Sequence, residues 1–471
     1  MSDRALTADL SRLLTGRVSD DPAVLATHET DYGRIVHRRP AVVVQPDGAA
    51  DVAATLRYAA THGVPVSPRG TGHSLRGQST NDGGVVLDLT GLDHLSVDAG
   101  ARLFRCGPGA RWRTVVAAAA RHGLAPPVLT SYPHVTVGGT HSAGSWGESS
   151  FRHGAQVDNC AALEVVTGAG ERLRCDPETE PELFGHVLGG MGQFAVITEV
   201  EHRLREYHPI ARTYPLRYET IEEMLADLRR LVAPGSTLSS LESTVEAAPG
   251  GTWRHRVLAT LEIDDAGSAP PRCPVAGLLG RQGPPADQPA ATFLARPQAG
   301  EVPPVPGVAQ PWVVAFLPWS RARVFLSVCQ RRLHGLLAGT DAMVLWPARR
   351  AVTATPMLRV PESEAEMIMV GLFPRVAAGK LPGALALLSK VSDLALELGG
   401  TRHLATWVHL DLPRWRLHFG TEWPKVNELK HRYDPAGILN PGFIEYEPLN
   451  AAPAGRPATT PAPATRSSAA G

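Results

Sequence analysis

The sequence predicts an α+β fold with a mixed strand and helix region in its first half and an antiparallel sheet with flanking helices in its second half. Two patterns lead to this prediction. Between residues 40 and 205, short β-branched runs alternate with helical stretches and with two glycine-rich loops. Between residues 206 and 419, strand-like runs alternate with amphipathic helical stretches. With 471 residues the chain is also too long for one ordinary core, so we expect two or more domains.

The composition narrows the class of protein. Hydrophobic residues make up 43% of the chain, and 46 Lys and Arg balance 46 Asp and Glu, so nothing indicates nucleic acid or an anionic membrane as a partner. The five cysteines are scattered without a CxxC pair, which argues against a disulfide framework or a metal site. The start lacks a long apolar segment, and no run approaches the ~20 apolar residues of a membrane helix. We expect a soluble, cytoplasmic protein.

The first half contains the elements of a small mixed sheet. Helices are predicted at residues 3–14, 49–62 and 111–122, and strands at 40–45, 64–66, 83–89, 95–97 and 103–106. In the third helix, Trp112, Val115 and Val116 form the apolar side, and Gly123 ends the helix.

A glycine-rich loop at residues 67–79 joins two of these strands. Gly70, Gly72 and Gly77 let the backbone turn sharply and approach a ligand closely. Exposed N–H groups in such a loop form a concave anion site that suits a pyrophosphate. The loop is neither a P-loop nor a dinucleotide fingerprint. His73 stands in its middle, and the alternative to a functional role is a hydrogen-bonded loop histidine.

A second glycine-rich stretch, at residues 136–147, carries several hydroxyl side chains, and a third follows at 188–198. The glycine-rich loops at 67–79 and 136–147, which lie in one mixed region and carry hydroxyl side chains, indicate a large, extended cofactor that is held mainly by backbone groups. Tight turns in a glycine-rich sheet are the alternative for either loop alone.

The second half is predicted to form a sheet with flanking helices. Helices are predicted at residues 220–231 and 321–337, and strands at 239–245, 255–263, 312–317, 344–347 and 367–373. A further strand is predicted in the first half, at 162–167. Residues 264–311 are rich in Pro, Gly and Ala and are predicted to form a long surface loop. Residues 451–471 cannot bury a core, so we expect a disordered tail.

The two loops resemble those of the vanillyl-alcohol-oxidase (PCMH-type) FAD flavoproteins, within which the cytokinin dehydrogenase branch is closest. Its members carry an arginine-glycine-x-glycine-histidine-serine loop followed by glycine-glutamine, matched here by residues 69–74 and 77–78. They also carry a threonine-valine-glycine-glycine-threonine-x-serine loop, matched by residues 136–142. Further matches lie at 151–154, 188–198, 418–420, 433–435 and 439–442. The resemblance covers residues 30–446.

The resemblance implies a fold and a division of the chain. The expected fold class is α+β, with a PCMH-type FAD-binding domain of two subdomains and an antiparallel-sheet substrate domain with flanking helices. The predicted parts are an N-terminal helix (1–29), the FAD-binding domain (30–205), the substrate-binding domain (206–419), a C-terminal return to the FAD domain (420–450) and the tail (451–471). The C-terminal return is expected to end in a strand that carries Asn440 and Phe443.

The resemblance also implies the cofactor and its ligands. FAD would be bonded covalently through His73 to the flavin 8α-methyl group. A second covalent link through a cysteine is not expected, because Tyr132, Pro133 and His134 stand where that cysteine would be. The residues expected to bind FAD are Pro68, Arg69, Gly70, Thr71, Gly72, His73, Ser74, Gln78, Ser79, Thr136, Gly138, Gly139, Ser142, Trp146, Val196, Ile197, Asn440 and Phe443.

The predicted catalytic residues are Ser131, Glu242 and His141. In the plant enzymes of the branch an aspartate contacts the substrate amine, and Ser131 stands at that position here. Glu242 is a loose match to a companion pocket glutamate, with a solvated strand-edge glutamate as the alternative. His141 lies in the second loop and is a possible base near pH 7, with a hydrogen-bonded loop histidine as the alternative.

These residues predict an FAD-dependent oxidase or dehydrogenase for a small molecule. The first hypothesis is hydride transfer from a C–H beside an amine to flavin N5, with reoxidation by oxygen or another acceptor. The second is oxidation of an alcohol or sugar hydroxyl. The third is a natural-product tailoring flavoprotein whose redox chemistry is lost or diverted.

Overall fold

The computed structural model describes residues 3–267, 273–296, 305–337, 342–350, 355–407 and 409–448. The predicted tail at 451–471 and parts of the predicted loop at 264–311 lie outside the described residues. No helix in the described ranges is long and apolar enough to cross a membrane.

The chain begins with a small mixed sheet and its helices. These elements are α1 (Asp3–Leu13), β1 (Arg17–Ser19), α2 (Pro22–Ala26), β2 (Val42–Gln45), α3 (Ala49–His62), β3 (Val66–Arg69) and β4 (Val85–Asp88). The strand order is β1-β2-β4-β3, and β4 pairs in parallel with both β2 and β3. Parallel pairing needs a crossover connection, and α3 supplies it between β2 and β3. The first glycine-rich loop therefore begins where β3 ends, at the edge of this sheet.

A second, antiparallel sheet follows. Its elements are β5 (Leu95–Asp98), β6 (Leu103–Cys106), α4 (Trp112–Ala120), β7 (Leu124–Ala125), α5 (Val137–Ala143), α6 (Ser150–His153), β8 (Cys160–Thr167), β9 (Arg172–Cys175), α7 (Pro181–Val187), β10 (Ala195–Arg203) and β11 (Arg205–Glu206). The strand order is β5-β6-β10-β8-β9, and β11 pairs with β7. Trp112 is fully buried and packs edge-on against Phe104, so α4 covers one face of this sheet.

A large antiparallel sheet forms the rest of the body. Its elements are β12 (Ile210–Tyr218), α8 (Ile221–Leu231), β13 (Ser240–Ala247), β14 (Trp253–Ile263), β15 (Arg281–Gln282), β16 (Ala286–Pro289), α9 (Ala290–Ala295), β17 (Val308–Ala309), β18 (Val313–Pro318), α10 (Trp319–Leu333), β19 (Ala342–Arg349), β20 (Glu366–Leu372), β21 (Val376–Ala377), α11 (Leu381–Glu397) and β22 (Thr401–Arg402). The main order is β15-β12-β14-β13-β19-β20-β18-β22, with β16 on β12, while β17 pairs with β21.

Alternation along the central strands gives this sheet two different faces. Val313, Ala315 and Leu317 belong to the core that includes α8, α10 and α11. Val314 and Phe316 point to the opposite face and belong to the core shared with the second sheet. Since successive strand residues face opposite sides, every second residue of β18, β19 and β20 is directed away from the helices.

The C-terminal segment returns to the first sheet. Helices α12 (Leu412–Phe419) and α13 (Trp423–Tyr433) are followed by a single parallel bridge between Val66 and Leu439. The sequence predicted a returning strand here, and the described residues after α13 contain no strand, so that prediction is wrong. The segment is instead held by Asp434, whose carboxylate accepts hydrogen bonds from the backbone N–H groups of Ile438 and Leu439.

Two further predictions need correction. The second glycine-rich stretch is not only a loop, because residues 137–143 form α5. The predicted surface loop at 264–311 contains β15, β16, α9 and β17 in its described parts, with β16 paired to β12.

Candidate active site

The walls of one cleft are formed by residues from the three larger sheets. It encloses about 1530 Å³ of empty space, part of which is open to solvent. Pro68 and Arg69 contribute from β3, Val196 from β10, and Trp346 and Met369 from the large sheet.

The two glycine-rich loops meet at one wall of this cleft. A Cβ atom at Gly70 would lie 2.1 Å from the hydroxyl oxygen of Thr136, so only glycine permits this approach. Gly72 adopts a φ of 69°, a left-handed conformation that glycine adopts without strain. The residues that resemble a cofactor motif are therefore brought together in space.

Buried polar groups fix the shape of the first loop. Arg69 donates from Nη2 to the carbonyl oxygen of Thr30 at 3.0 Å and from Nη1 to that of Ser79 at 3.3 Å. Asp31 accepts hydrogen bonds from the hydroxyl of Ser74 at 2.9 Å and from the backbone N–H of Gly77 at 2.5 Å. Burial raises the pKa of Asp31 to about 6, against the opposing effect of these hydrogen bonds. The segment before β2 therefore supports the loop that carries His73.

The first loop is also tied to the large sheet. Gln78 donates from Nε2 to the carbonyl oxygen of Leu404 at 2.9 Å, and its Oε1 accepts from the backbone N–H of Arg76 at 2.7 Å. His73 itself lies on the cleft wall, with the ring of Tyr132 5.4 Å away between centroids.

Asn440 brings the C-terminal segment to the same wall. Its side-chain amide donates to the carbonyl oxygen of Met191 at 2.8 Å, and its own backbone carbonyl accepts from Gln193 at 3.1 Å. Its φ of 44° is left-handed, a conformation that asparagine tolerates better than most residues. Its amide oxygen has no hydrogen-bond partner among the described residues.

Comparison with known proteins agrees with this geometry. The family model described as "FAD binding domain" matches residues 40–176, and the model described as "Cytokinin dehydrogenase 1, FAD and cytokinin binding" matches residues 297–444. Cytokinin dehydrogenase 6 of Oryza sativa subsp. japonica is 30% identical, over 90% of this chain and 90% of its own length. The chain belongs to the cytokinin dehydrogenase family.

Two other comparisons extend this result. An uncharacterized oxidoreductase of the fasciation locus of Rhodococcoides fascians is 29% identical, over 91% of this chain and 99% of its own length. The crystal structure of 6-hydroxy-D-nicotine oxidase from Arthrobacter nicotinovorans superimposes with a TM-score of 0.69 at 24% identity, over 90% of this chain and 96% of that one. The PCMH-type α+β fold predicted from the sequence is confirmed, and this member of the cytokinin dehydrogenase family is an FAD-dependent oxidoreductase.

The chemistry of the wall fits FAD. Thr136, Trp146 and Asn440 each line the cleft and carry a buried side-chain polar atom without a partner among the described residues. Buried polar groups are rarely left unpaired in native proteins, so these three atoms indicate a ligand with both donors and acceptors. The apolar side chains of Val196 and Ile197 lie on the same wall and suit the face of a flavin ring.

Most residues predicted to bind FAD line this cleft. They are Pro68, Arg69, Gly70, Thr71, Gly72, His73, Ser74, Gln78, Ser79, Thr136, Gly138, Gly139, Ser142, Trp146, Val196, Ile197 and Asn440. Ser131, predicted to be catalytic, lines it too. Phe443 does not, and its ring packs against that of Trp415 with centroids 5.9 Å apart.

His141 lies behind the wall rather than on it, which corrects its predicted catalytic role. Its ring is fully buried, with Nδ1 2.9 Å from the carbonyl oxygen of Val137 and Nε2 3.2 Å from Nδ1 of His202. Burial lowers the pKa of His141 to about 4. A carbonyl only accepts, so Nδ1 carries the hydrogen and Nε2 accepts from His202. The ring joins α5 to β10 and has no route to a substrate.

Glu242 is also placed outside the cleft wall. Its carboxylate lies 3.6 Å from Nη2 of Arg256 and 3.9 Å from Nη2 of Arg296. Burial and the neighbouring carboxylate of Glu148 raise its pKa. Arg296 and the hydroxyl of Ser240 in turn bind Glu148, at 2.7 and 2.6 Å. This cluster joins α9 and β13 to the segment before α6, and the position of Glu242 away from the described cleft wall does not support its predicted catalytic role.

The residues predicted from the sequence to form the site include none of those that the large sheet contributes. Trp312, Trp346, Met369, Phe373 and His403 line the cleft opposite the glycine-rich loops. Their positions follow from alternation along β18, β19 and β20, which assigns Val314 and Trp346 to one face. The alternation is visible in the sequences of these strands, but it does not show which face of the sheet contacts the FAD-binding half.

Proposed function

We propose that this protein is an oxidase or dehydrogenase that carries FAD bonded to His73 and oxidises a C–N bond of a small molecule. The observation that supports this most directly is the position of His73, on the cleft wall within the loop that meets Thr136. The names of the relatives, which include cytokinin dehydrogenases and 6-hydroxy-D-nicotine oxidase, agree with oxidation beside nitrogen. When bound, FAD supplies the hydride acceptor, and oxygen or another acceptor would reoxidise it.

The chain's own groups would bind, orient and shield the substrate. The loops at 67–79 and 136–147 and Asn440 would hold FAD along one wall. The large sheet would hold the substrate on the opposite wall, through Trp346, Met369 and Phe373. These apolar side chains exclude water, which strengthens each remaining polar contact in the cleft. Ser131 would offer one hydrogen bond to the substrate but no negative charge.

A specific observation also favours the alcohol hypothesis. None of the described residues that line the cleft is an aspartate or a glutamate. An ammonium group would therefore lose its hydration without gaining an ion pair, which is costly. A neutral amine or a hydroxyl group avoids this cost, so oxidation of an alcohol or sugar hydroxyl is the second candidate.

Two measurements test the proposal. Purified protein should remain yellow after acid precipitation, and His73→Ala should release its flavin into the acid supernatant. Anaerobic mixing with a panel of amines, alcohols and purines should bleach the flavin with at least one class. Release of flavin from the unmodified protein would refute the covalent link, and absence of bleaching across the panel would refute the oxidation.

A further inference from the structure

The chain between α2 and β2 runs beside the turn that carries His73. The backbone N–H of Tyr32 donates to the carbonyl oxygen of Gly72 at 2.8 Å. The backbone N–H of Gly33 donates to the carbonyl oxygen of Ser74 at 3.1 Å. These two hydrogen bonds flank the histidine, one on each side of it in the sequence. A distant segment of the chain therefore holds the backbone on which the imidazole is mounted.

Asp31 adds a side chain to this contact. Its Oδ2 atom accepts hydrogen bonds from the hydroxyl of Ser74 at 2.9 Å and from the backbone N–H of Gly77 at 2.5 Å. Gly77 has a φ of 74°, a left-handed conformation that glycine adopts without strain in a tight turn. One buried oxygen atom thus joins the residue that follows His73 to the end of the turn. Asp31 is 4% exposed, so water has little access to take its place.

Arg69 is the cation that faces this carboxylate. The guanidinium of Arg69 donates to the carbonyl oxygens of Thr30 and Ser79, and it attracts the charge of Asp31. Burial raises the pKa of Asp31 to about 6, while the hydrogen bonds and Arg69 oppose that rise. The carboxyl group is therefore largely ionised at pH 7.5, where its oxygen atoms only accept hydrogen bonds.

Attachment of FAD, which the proposed function assigns to His73, demands a defined position of the imidazole. A ring nitrogen of His73 forms a bond to the 8α-methyl carbon, one proton leaves the methyl group, and one proton leaves the imidazole. The electron pair of the broken C–H bond stays with the flavin until oxygen or another acceptor removes it. A reaction between two held groups depends steeply on their alignment, so a displacement of about 1 Å can slow it roughly 100-fold.

We propose that Asp31 is a positioning residue for this attachment, because its carboxylate holds the turn from Gly72 to Gly77 in the shape that presents His73 to the 8α-methyl group. Asp31 is not among the described residues that line the cleft, so it acts through the hydroxyl of Ser74 and the N–H of Gly77. This inference rests on the proposed function, since it needs the covalent link through His73.

The rate of attachment per bound flavin tests this assignment. The full-length protein is produced in riboflavin-starved cells and mixed with saturating FAD at pH 7.5, and acid-released and acid-stable flavin are measured over time. Asp31→Ala should still bind FAD but attach it at least about tenfold more slowly, because both hydrogen bonds to the turn are lost. Asp31→Asn keeps an oxygen acceptor for both donors and should attach FAD within about threefold of the unmodified rate. An unchanged rate in Asp31→Ala, or a rate in Asp31→Asn as low as in Asp31→Ala, would overturn the proposal.

Asp51→Ala is the matched control. Asp51 is 6% exposed, and its carboxylate accepts from the backbone N–H groups of Gly16 at 2.7 Å and Asp47 at 2.9 Å. These partners belong to the first sheet and its connections and not to the turn of His73. The variant should therefore melt at a lower temperature and attach bound flavin at the unmodified rate. Equal slowing in Asp51→Ala and Asp31→Ala would show that general loosening of the FAD-binding half slows attachment, and it would refute the positioning role.

The outcomes separate this inference from the proposed function. If the unmodified protein attaches FAD and Asp31→Ala attaches it equally fast, the covalent link stands and the positioning role is refuted. If the unmodified protein releases all of its flavin into acid, the covalent link is refuted and the role of Asp31 with it. If Asp31→Ala is not recovered in folded form, Ser74→Ala decides, because it removes one donor only and should slow attachment about fivefold. An unchanged rate in that variant would refute the proposal.

Discussion

The ring of Tyr32 stacks on the imidazole of His73, with centroids 3.9 Å apart and an angle of 22° between the planes. The backbone N–H of Tyr32 donates to the carbonyl oxygen of Gly72 at 2.8 Å, so the two segments are paired through backbone as well as rings. The other side of Tyr32 meets Trp312 edge-on at 5.1 Å. This arrangement fixes the plane of the imidazole at the cleft wall and connects it to Trp312, beside the large sheet.

We expect Tyr32 to determine how readily His73 becomes bonded to the flavin. Tyr32→Leu removes the stacked ring, worth about 0.5–1.5 kcal/mol, and should slow attachment by roughly 2- to 10-fold. Tyr32→Phe keeps the stack and should attach flavin as the unmodified protein does. The measurement is the acid-stable flavin fraction after apoprotein is mixed with FAD, followed over time. Equal rates for all three forms would show that the stack has no positioning role.

Lys430 should be essential for the stability of the C-terminal return. Its ammonium donates to the carboxylate of Asp434 at 2.6 Å and to the carbonyl oxygens of Gln193 and Leu439 at 2.9 Å each. Lys430→Met leaves the buried carboxylate of Asp434 without its counter-charge, which should lower the free energy of unfolding by about 3–5 kcal/mol. Fewer molecules of the purified variant should carry attached flavin as well, because Gln193 also holds the backbone of Asn440. Urea unfolding followed by flavin fluorescence measures both effects.

Lys425→Met is the matched control for that experiment. Lys425, on the same helix as Lys430, pairs with Glu182 of α7 and with Glu428 of its own helix, but its side chain is 37% exposed. Exposed ion pairs contribute about 0–1 kcal/mol, so this variant should unfold close to the unmodified protein. A loss of similar size in both variants would contradict the special role of the buried lysine.

The cofactor half of the site was predictable because its signals are local. The loop from Arg69 to Ser74 carries its glycines, its histidine and its hydroxyl group within a few residues. The approach of Gly70 to Thr136 could be inferred once the second loop was seen to have the same chemistry. The return of Asn440 to this wall was predictable only through the resemblance, and the strand assigned to it was wrong.

The substrate half depends on contacts between distant parts of the chain. Glu242 was a candidate because a glutamate on a strand can face a pocket. In the structure, Arg296, which is 54 positions away, lies beside Glu242 and forms an ion pair with Glu148. His141 looked suitable because it follows Thr140 in a cofactor loop. The loop is helical there, and the helix turns the imidazole inward to His202. Neither outcome is encoded within a short window of sequence.

Acidification should destabilise the protein through its buried histidines. Burial lowers the pKa of His141 and His403 to about 4 and that of His418 to about 3. The unfolded chain therefore binds more protons than the folded chain as the pH falls from about 6.5 to 4. Each of these histidines should cost about 1.4 kcal/mol of stability per pH unit across that window. Asp31 and Glu242 act in the opposite direction, because their pKa values are raised to about 6 and about 7.

Thermal unfolding between pH 7.5 and 5 measures this balance. Three histidines outweigh the two buried carboxyl groups of Asp31 and Glu242, so the melting temperature should fall below pH 6.5. His94→Gln, at an exposed position beside Glu199, should leave the slope unchanged. A melting temperature that stays constant or rises on acidification would contradict the neutral, buried state of these rings.

Ser131 should determine which amines the cleft accepts. It lines the cleft beside Tyr132 and Thr130, at the position where the plant enzymes carry an aspartate according to the family resemblance. A hydroxyl group can donate or accept a hydrogen bond but holds no negative charge near pH 7. An amine must therefore arrive neutral, and isopentenyl-type cytokinins, whose N–H would lack its acidic partner, should reduce the flavin slowly. Ser131→Asp would place an acidic group among the described lining residues and should speed this reduction.

Stopped-flow bleaching of the flavin under anaerobic conditions compares the unmodified protein with Ser131→Asp and Ser131→Ala. Ser131→Ala removes one neutral hydrogen bond, about 1 kcal/mol, and should slow the reaction of a good substrate about fivefold. Ser131→Asp should slow the same good substrate further, because an acidic group in an apolar aromatic wall is poorly solvated, while the cytokinin reaction becomes faster. The opposite signs for the two substrates separate a change of specificity from general damage to the site. Fast bleaching of the unmodified protein by a cytokinin would show that the serine has not changed the substrate class.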